Sequence, residues 1–89
     1  MTRDIAVLCE SRIPVGEMQE AILNAGGETL KECRVFDVYT GDRIAAGMKS
    51  VAFSLTMRAD DQTLTDEHAG EIVSRALSVL RDKFGAQMR

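Results

Sequence analysis

Lys49-Ser50-Val51-Ala52-Phe53-Ser54-Leu55-Thr56-Met57-Arg58 decides the fold. Val51, Phe53, Leu55 and Met57 recur at every second position, and Ser50, Ala52, Ser54, Thr56 and Arg58 fill the gaps. A period of two is the repeat of a β-strand, whose successive side chains point to opposite faces. One face of this strand is apolar; the other is small or polar. Such a strand belongs to an antiparallel sheet covered on one side and open on the other.

The flanking segments supply the rest of the sandwich. Upstream, Leu30 to Thr40 is a second strand, strongest over Arg34-Val35-Phe36-Asp37-Val38-Tyr39, where β-branched and aromatic residues gather. Thr40-Gly41-Asp42 is a turn signal, and the loop runs on to Gly47. Near the start, Asp4 to Cys9 is a short apolar run bounded by Glu10-Ser11-Arg12, the pattern of a central strand. Pro14 suits the first turn of a helix, where its missing N–H is not needed. Val15, Met18, Ile22 and Ala25 follow at helical spacing, and Gly26-Gly27 supplies the exit.

Downstream, Ala59 to Leu64 is a polar connector. Thr65 is a good N-cap, with Asp66 and Glu67 complementing the positive end of a helix. Ala69, Ile72, Val73, Ala76, Leu77 and Leu80 form its buried stripe, which ends near Phe84, and Gly85 stops it. Ala86 to Arg89 is long enough for one short strand. The order is βαββαβ. Right-handed crossovers fold it into an α+β, ferredoxin-like two-layer sandwich, with strand order four-one-three-two and both helices on one face. The other face of the sheet has no helix left to cover it.

Composition narrows the function. The chain has 89 residues, one domain's worth, and a formal charge of −3. A generic basic nucleic-acid clamp needs a large excess of Lys and Arg. No apolar run approaches the ~20 residues that cross a bilayer, and Met1-Thr2-Arg3-Asp4 does not have a signal-peptide layout. A cytoplasmic domain with no membrane partner is expected. Cys9 and Cys33 form no CxxC pair, and the single His68 cannot complete a zinc set with them. Both cysteines are expected to be small apolar residues on or beside different strands, reduced and apart.

Catalytic chemistry has thin support. His68 lies among acids at a helix start, far in sequence from either cysteine. Arg12, in the first strand–helix loop, could cradle a phosphate as in the acylphosphatases, which share this topology. That family also needs a carboxamide on a neighbouring strand, and the only Asn here is Asn24. Gly41 and Gly47 flank a loop without any phosphate-binding pattern.

Phe36-Asp37-Val38-Tyr39 is more informative. By alternation Phe36 and Val38 share one face and Asp37 and Tyr39 the other; if Phe36 and Val38 point to the helices, Asp37 and Tyr39 stand on the open face. The open face of the next strand adds Ser50, Ser54, Thr56 and Arg58. A tyrosine can stack on an unpaired base, and a carboxylate can accept two N–H groups from the Watson–Crick edge of guanine. An RNA-recognition motif stacks bases on two or three aromatics. Here Phe36, Phe53 and Phe84 take core or helix-end positions, which leaves Tyr39 alone to stack. With a single platform and a negative charge, binding by the isolated domain should be weak.

Beyond these residues, the chain resembles a known family over nearly its whole length. The resemblance runs through Arg3-Asp4-Ile5-Ala6, Pro14-Val15-Gly16-Glu17, Phe36-Asp37-Val38-Tyr39 and Gly47-Met48-Lys49-Ser50-Val51-Ala52-Phe53. Arg58, Thr63-Leu64-Thr65-Asp66-Glu67 and Phe84-Gly85-Ala86-Gln87-Met88-Arg89 continue it. The family is the ferredoxin-fold anticodon-binding domain at the C-terminus of bacterial phenylalanyl-tRNA synthetase β chains. Membership implies that residues 1–89 are one domain, the C-terminal piece of a longer chain. It implies a grip on the anticodon stem-loop of phenylalanine tRNA, with the first anticodon guanine stacked on Tyr39 and read by Asp37. Ser50, Ser54 and Arg58 would be secondary contacts. The family's larger enzyme uses ATP and Mg²⁺ in an α₂β₂ assembly, and its aminoacylation site lies in the α chain. This domain would then be catalytically inert, with no cofactor of its own. A small-molecule-binding regulatory domain of the same topology is the alternative reading.

Overall fold

Val51, Phe53, Leu55 and Met57 are each at most 1% exposed, so the alternation that defines their strand is realised as burial. The computed structural model describes residues 1–41, 43–58 and 64–88. Its elements run β1 (Thr2–Glu10), α1 (Val15–Gly26), a single 3-10 turn (Gly27–Thr29), β2 (Leu30–Tyr39), β3 (Met48–Met57), α2 (Asp66–Phe84) and β4 (Gln87–Met88). The strands form one sheet in the order β2-β3-β1-β4, every neighbouring pair antiparallel. This is the four-one-three-two order expected of the split βαβ arrangement. The first strand is longer than its apolar run, because Thr2, Arg3 and Glu10 also pair with β3. Thr40 and Arg58, by contrast, fall just outside their strands. Most of the polar connector, residues 59–63, lies outside the described residues, as does Asp42 in the hairpin loop.

The helical layer covers one face. Met18, Ala21 and Ile22 of α1 and Ala69, Ile72, Ala76 and Leu80 of α2 are buried against Ile5, Val7, Cys9 and the apolar side of β3. Each large side chain among them contributes about 1.5–3 kcal/mol by leaving water. Local chemistry fixes the ends of α2. The Thr65 hydroxyl accepts a hydrogen bond from the His68 amide at 3.1 Å, satisfying one of the free N–H groups of the first turn. At the other end Gly85 takes the left-handed conformation, φ 68°. Its amide donates to the Arg81 carbonyl at 2.9 Å, and the Ala86 amide donates to the Leu80 carbonyl at 3.2 Å. Chain reversal there delivers β4 to the edge of β1.

The glycine pair after α1 divides the work differently. Gly26 is inside the helix and buried, and a Cβ there would meet the Leu30 side chain at 2.4 Å. Gly27 carries the positive φ, 69°. Lys49 is buried, paired with Cys9 across the sheet. Its ammonium donates to the Ile13 carbonyl, tying the β1–α1 loop to β3. Both cysteines are free and buried. Their strands are separated by β3, about 10 Å at the usual inter-strand spacing and beyond the ~7 Å reach of a disulfide.

Candidate nucleic-acid interface

The open face is built by register. Reading across from β2 to β3, Tyr39 lies opposite Ser50, Asp37 opposite Ala52 and Arg34 opposite Ser54. On the far side of β3, Leu8, Ala6 and Asp4 of β1 continue the same three rows. Asp37 and Tyr39 are therefore on the uncovered face.

The local reason is not simple alternation. Cys33 pairs with Leu55 and Val35 with Phe53, both on the helix side. Unbroken alternation would put Asp37 and Tyr39 on that same side. The ladder slips by one residue between Val35 and Asp37, leaving Phe36 as the extra residue of a β-bulge. The bulge resets the parity. Cys33 and Val35 can then face the core while Asp37 and Tyr39 face outward. It also corrects the reading of Phe36 as a core residue, since Phe36 is 53% exposed. Val38 does lie opposite the buried Val51 on the helix side, yet it is 49% exposed. Along β2, packing against the core ends at Val35. The end of the strand that carries Phe36 to Tyr39 thus stands clear of the helical layer.

Tyr39 is 39% exposed, half open and half seated. Ser50, opposite it, is only 3% exposed, although it belongs to the open face. At that burial RNA could reach it only if its neighbours moved. Ser54 is partly exposed, two rows from Tyr39. Arg58 is exposed and just past the end of β3, with its amide bonded to the Thr29 carbonyl at 2.9 Å. Eight residues separate it from Ser50, about 27 Å at the rise of an antiparallel strand. The fold therefore brings together Asp37, Tyr39, Ser50 and Ser54, and it sends Arg58 to the opposite end.

Arg34 was not among the residues that alternation pointed to. It is exposed, and among the described residues no hydrogen bond or ion pair engages its guanidinium. Together with Thr2, Glu32, Ser54 and Thr56 it lines a polar concavity of about 220 Å³ on the open face. The sequence signal that would have found it is the bulge, which has no residue-type signature here. Larger concavities, of about 730 and 520 Å³, are lined by Ser74 and Ser78 of α2 and include none of Tyr39, Asp37 and Arg34.

Nucleophilic chemistry finds no support in the buried thiols. Burial pushes the Cys33 thiol up to about 11. Burial also raises that of Cys9, with Lys49 opposing and Glu10 adding to the shift. A thiol held protonated is a poor nucleophile. Among the described residues no three His, Cys, Asp or Glu side chains gather as a metal site.

The ferredoxin-like sandwich has counterparts among known proteins. Residues 1–89 match the model of the ferredoxin-fold anticodon binding domain. The chain is 45% identical over 89 residues to the phenylalanine–tRNA ligase beta subunit of Bacillus cereus. Identity to the subunit of the same name is 43% over 89 residues in Bacillus subtilis and 39% over 87 residues in Haemophilus influenzae. These matches cover 98–100% of the chain and 11% of each relative, so the chain spans about a tenth of their length. With the family model matched from end to end, the chain belongs to the ferredoxin-fold anticodon binding domain family.

Proposed function

We propose that this domain grips the anticodon stem-loop of phenylalanine tRNA, as the C-terminal domain of a phenylalanine–tRNA ligase β chain. The observation that carries the reading is the bulge at Phe36, which turns Asp37 and Tyr39 to the uncovered face together. Tyr39 is the platform on which the first anticodon base stacks. Asp37, two residues before it, accepts the N–H groups of guanine's Watson–Crick edge. Ser54 is a secondary contact on the same face, and Arg58 meets a different part of the RNA.

The face carries Asp4, Glu32 and Asp37 against Arg34, so it does not attract the phosphate backbone strongly. Selection here rests on the bases. Affinity comes from the remainder of a larger enzyme, in an α₂β₂ assembly with the catalytic α chain. ATP and Mg²⁺ serve the larger enzyme. The domain discriminates between tRNAs and leaves aminoacylation to the rest of the enzyme.

A gel-shift titration tests the proposal. The chain is expected to bind the anticodon hairpin with guanine at the first position several-fold more tightly than one with that base changed. Equal affinity for both would refute base reading at this face.

A further inference from the structure

We propose that Gly41 is a positioning residue for Tyr39, and that the absence of a side chain at residue 41 sets the pose of the aromatic platform. The contact itself is independent of any RNA. Its consequence for RNA rests on the reading of Tyr39 as the base platform. Gly41 lies two residues past Tyr39, in the bend that follows β2. A Cβ built on Gly41 would stand 2.7 Å from the Tyr39 hydroxyl oxygen, 3.0 Å from Cζ and 3.4 Å from Cε1. Non-bonded heavy atoms settle at about 3.5–4.0 Å. The outer end of the ring already occupies the space in which any side chain at residue 41 would begin.

Backbone conformation does not explain this glycine. Gly27, Gly47 and Gly85 take a positive φ, and Gly41 does not. The obstacle to a side chain here is the close approach of the tyrosine's outer end, which must shift to admit one. Tyr39 thus stands opposite Ser50 in the ladder, with the outer end of its ring beside the bare backbone of residue 41. A ring fixed before binding loses less freedom when a base stacks on it. Added bulk at residue 41 would drive the ring to another staggered rotamer, away from its present relation to Asp37.

Tyr39 is the only tyrosine and the chain has no tryptophan, so tyrosine emission reports this ring alone. Gly41→Ala is expected to change acrylamide quenching of that emission and leave the thermal midpoint near wild type. Its affinity for the anticodon hairpin should fall about five- to tenfold, within the range that loss of a stacking platform costs. In a Tyr39→Ala background, Gly41→Ala should cost nothing further. Tyr39→Phe, which removes the atom at 2.7 Å, should restore part of the affinity lost in Gly41→Ala. Unchanged quenching would overturn the contact whatever the RNA does. Changed quenching with wild-type affinity, or a full additional loss in the Tyr39→Ala background, would overturn the positioning role. If Tyr39→Ala alone binds the hairpin like wild type, the platform reading fails, and the quenching arm still decides the contact.

Discussion

Arg34 and Asp37, three residues apart on β2, stand on the same face of the sheet, opposite Ser54 and Ala52 in adjacent rows of β3. An odd separation on a regular strand would put them on opposite faces. Phe36 is the residue that makes the difference. Deleting it should remove the bulge and leave Asp37 and Tyr39 on the open face, because Asp37 would then follow Val35 directly and regular alternation turns it outward. The strand end there is clear of the core, so the domain should still fold. Circular dichroism and hairpin binding both close to wild type are the expected result. Lost binding with the fold intact would show that Phe36 does more than take up the spare position of the ladder.

Asp37→Ala and Tyr39→Ala should damage different things. Removing the tyrosine removes a stacking platform worth about 1–3 kcal/mol, so binding should fall for any first anticodon base. Removing the carboxylate should weaken mainly the guanine-bearing hairpin and relax discrimination. Both side chains are exposed, so neither change should unfold the domain. Aminoacylation kcat/KM of the whole ligase, with the native anticodon and one changed at its first base, separates the two effects. Wild-type values for both variants would place the anticodon elsewhere.

Gly70 and Gly26 are both helical, yet alanine should act on them with opposite signs. At Gly70 an added Cβ meets nothing within 4 Å. Gly70→Ala should therefore stabilise the domain by about 0.5–1 kcal/mol, the helical penalty of glycine. At Gly26 the new carbon would lie 2.4 Å from Leu30 Cδ2 and 2.5 Å from its Cβ. Gly26→Ala should cost about 1–3 kcal/mol through overpacking. Thermal melts of the two variants beside wild type decide both signs.

Cys33 makes the domain sensitive to alkaline pH. Burial holds its thiol near 11, above the ordinary 9.0. Between those values the unfolded chain releases the proton and the folded chain keeps it, so stability should fall as pH rises through that window. Below about pH 9 this group should contribute no slope. Alkylation by iodoacetamide at pH 8 should be slow in the native domain and fast in urea. Rapid native labelling of Cys33 would contradict its burial.

The amino-acid sequence by itself determined the sandwich. Its apolar spacing switches from two in Val51–Met57 to helical in Ala69–Leu80, and period sets secondary structure directly. Thr65 and Gly85 mark the ends of α2 because capping depends on residues within one turn of each other. The order of strands followed from the crossovers, and Asp37 and Tyr39 were visible as a polar pair at the right spacing. What only the tertiary structure decided lies along β2. Alternation assigned Phe36 to the core, but core packing depends on where the helices stop, and it ends at Val35. The bulge that reconciles a buried Cys33 with an outward Asp37 is a property of the β2–β3 ladder, a pairing between distant segments. Arg34 joins the open face for the same reason, and Ser50 is buried on that face because of its neighbours across two strands. The clash that a side chain at residue 41 would meet arises from a tyrosine ring that occupies the same space, which no pattern of residue types along the chain records.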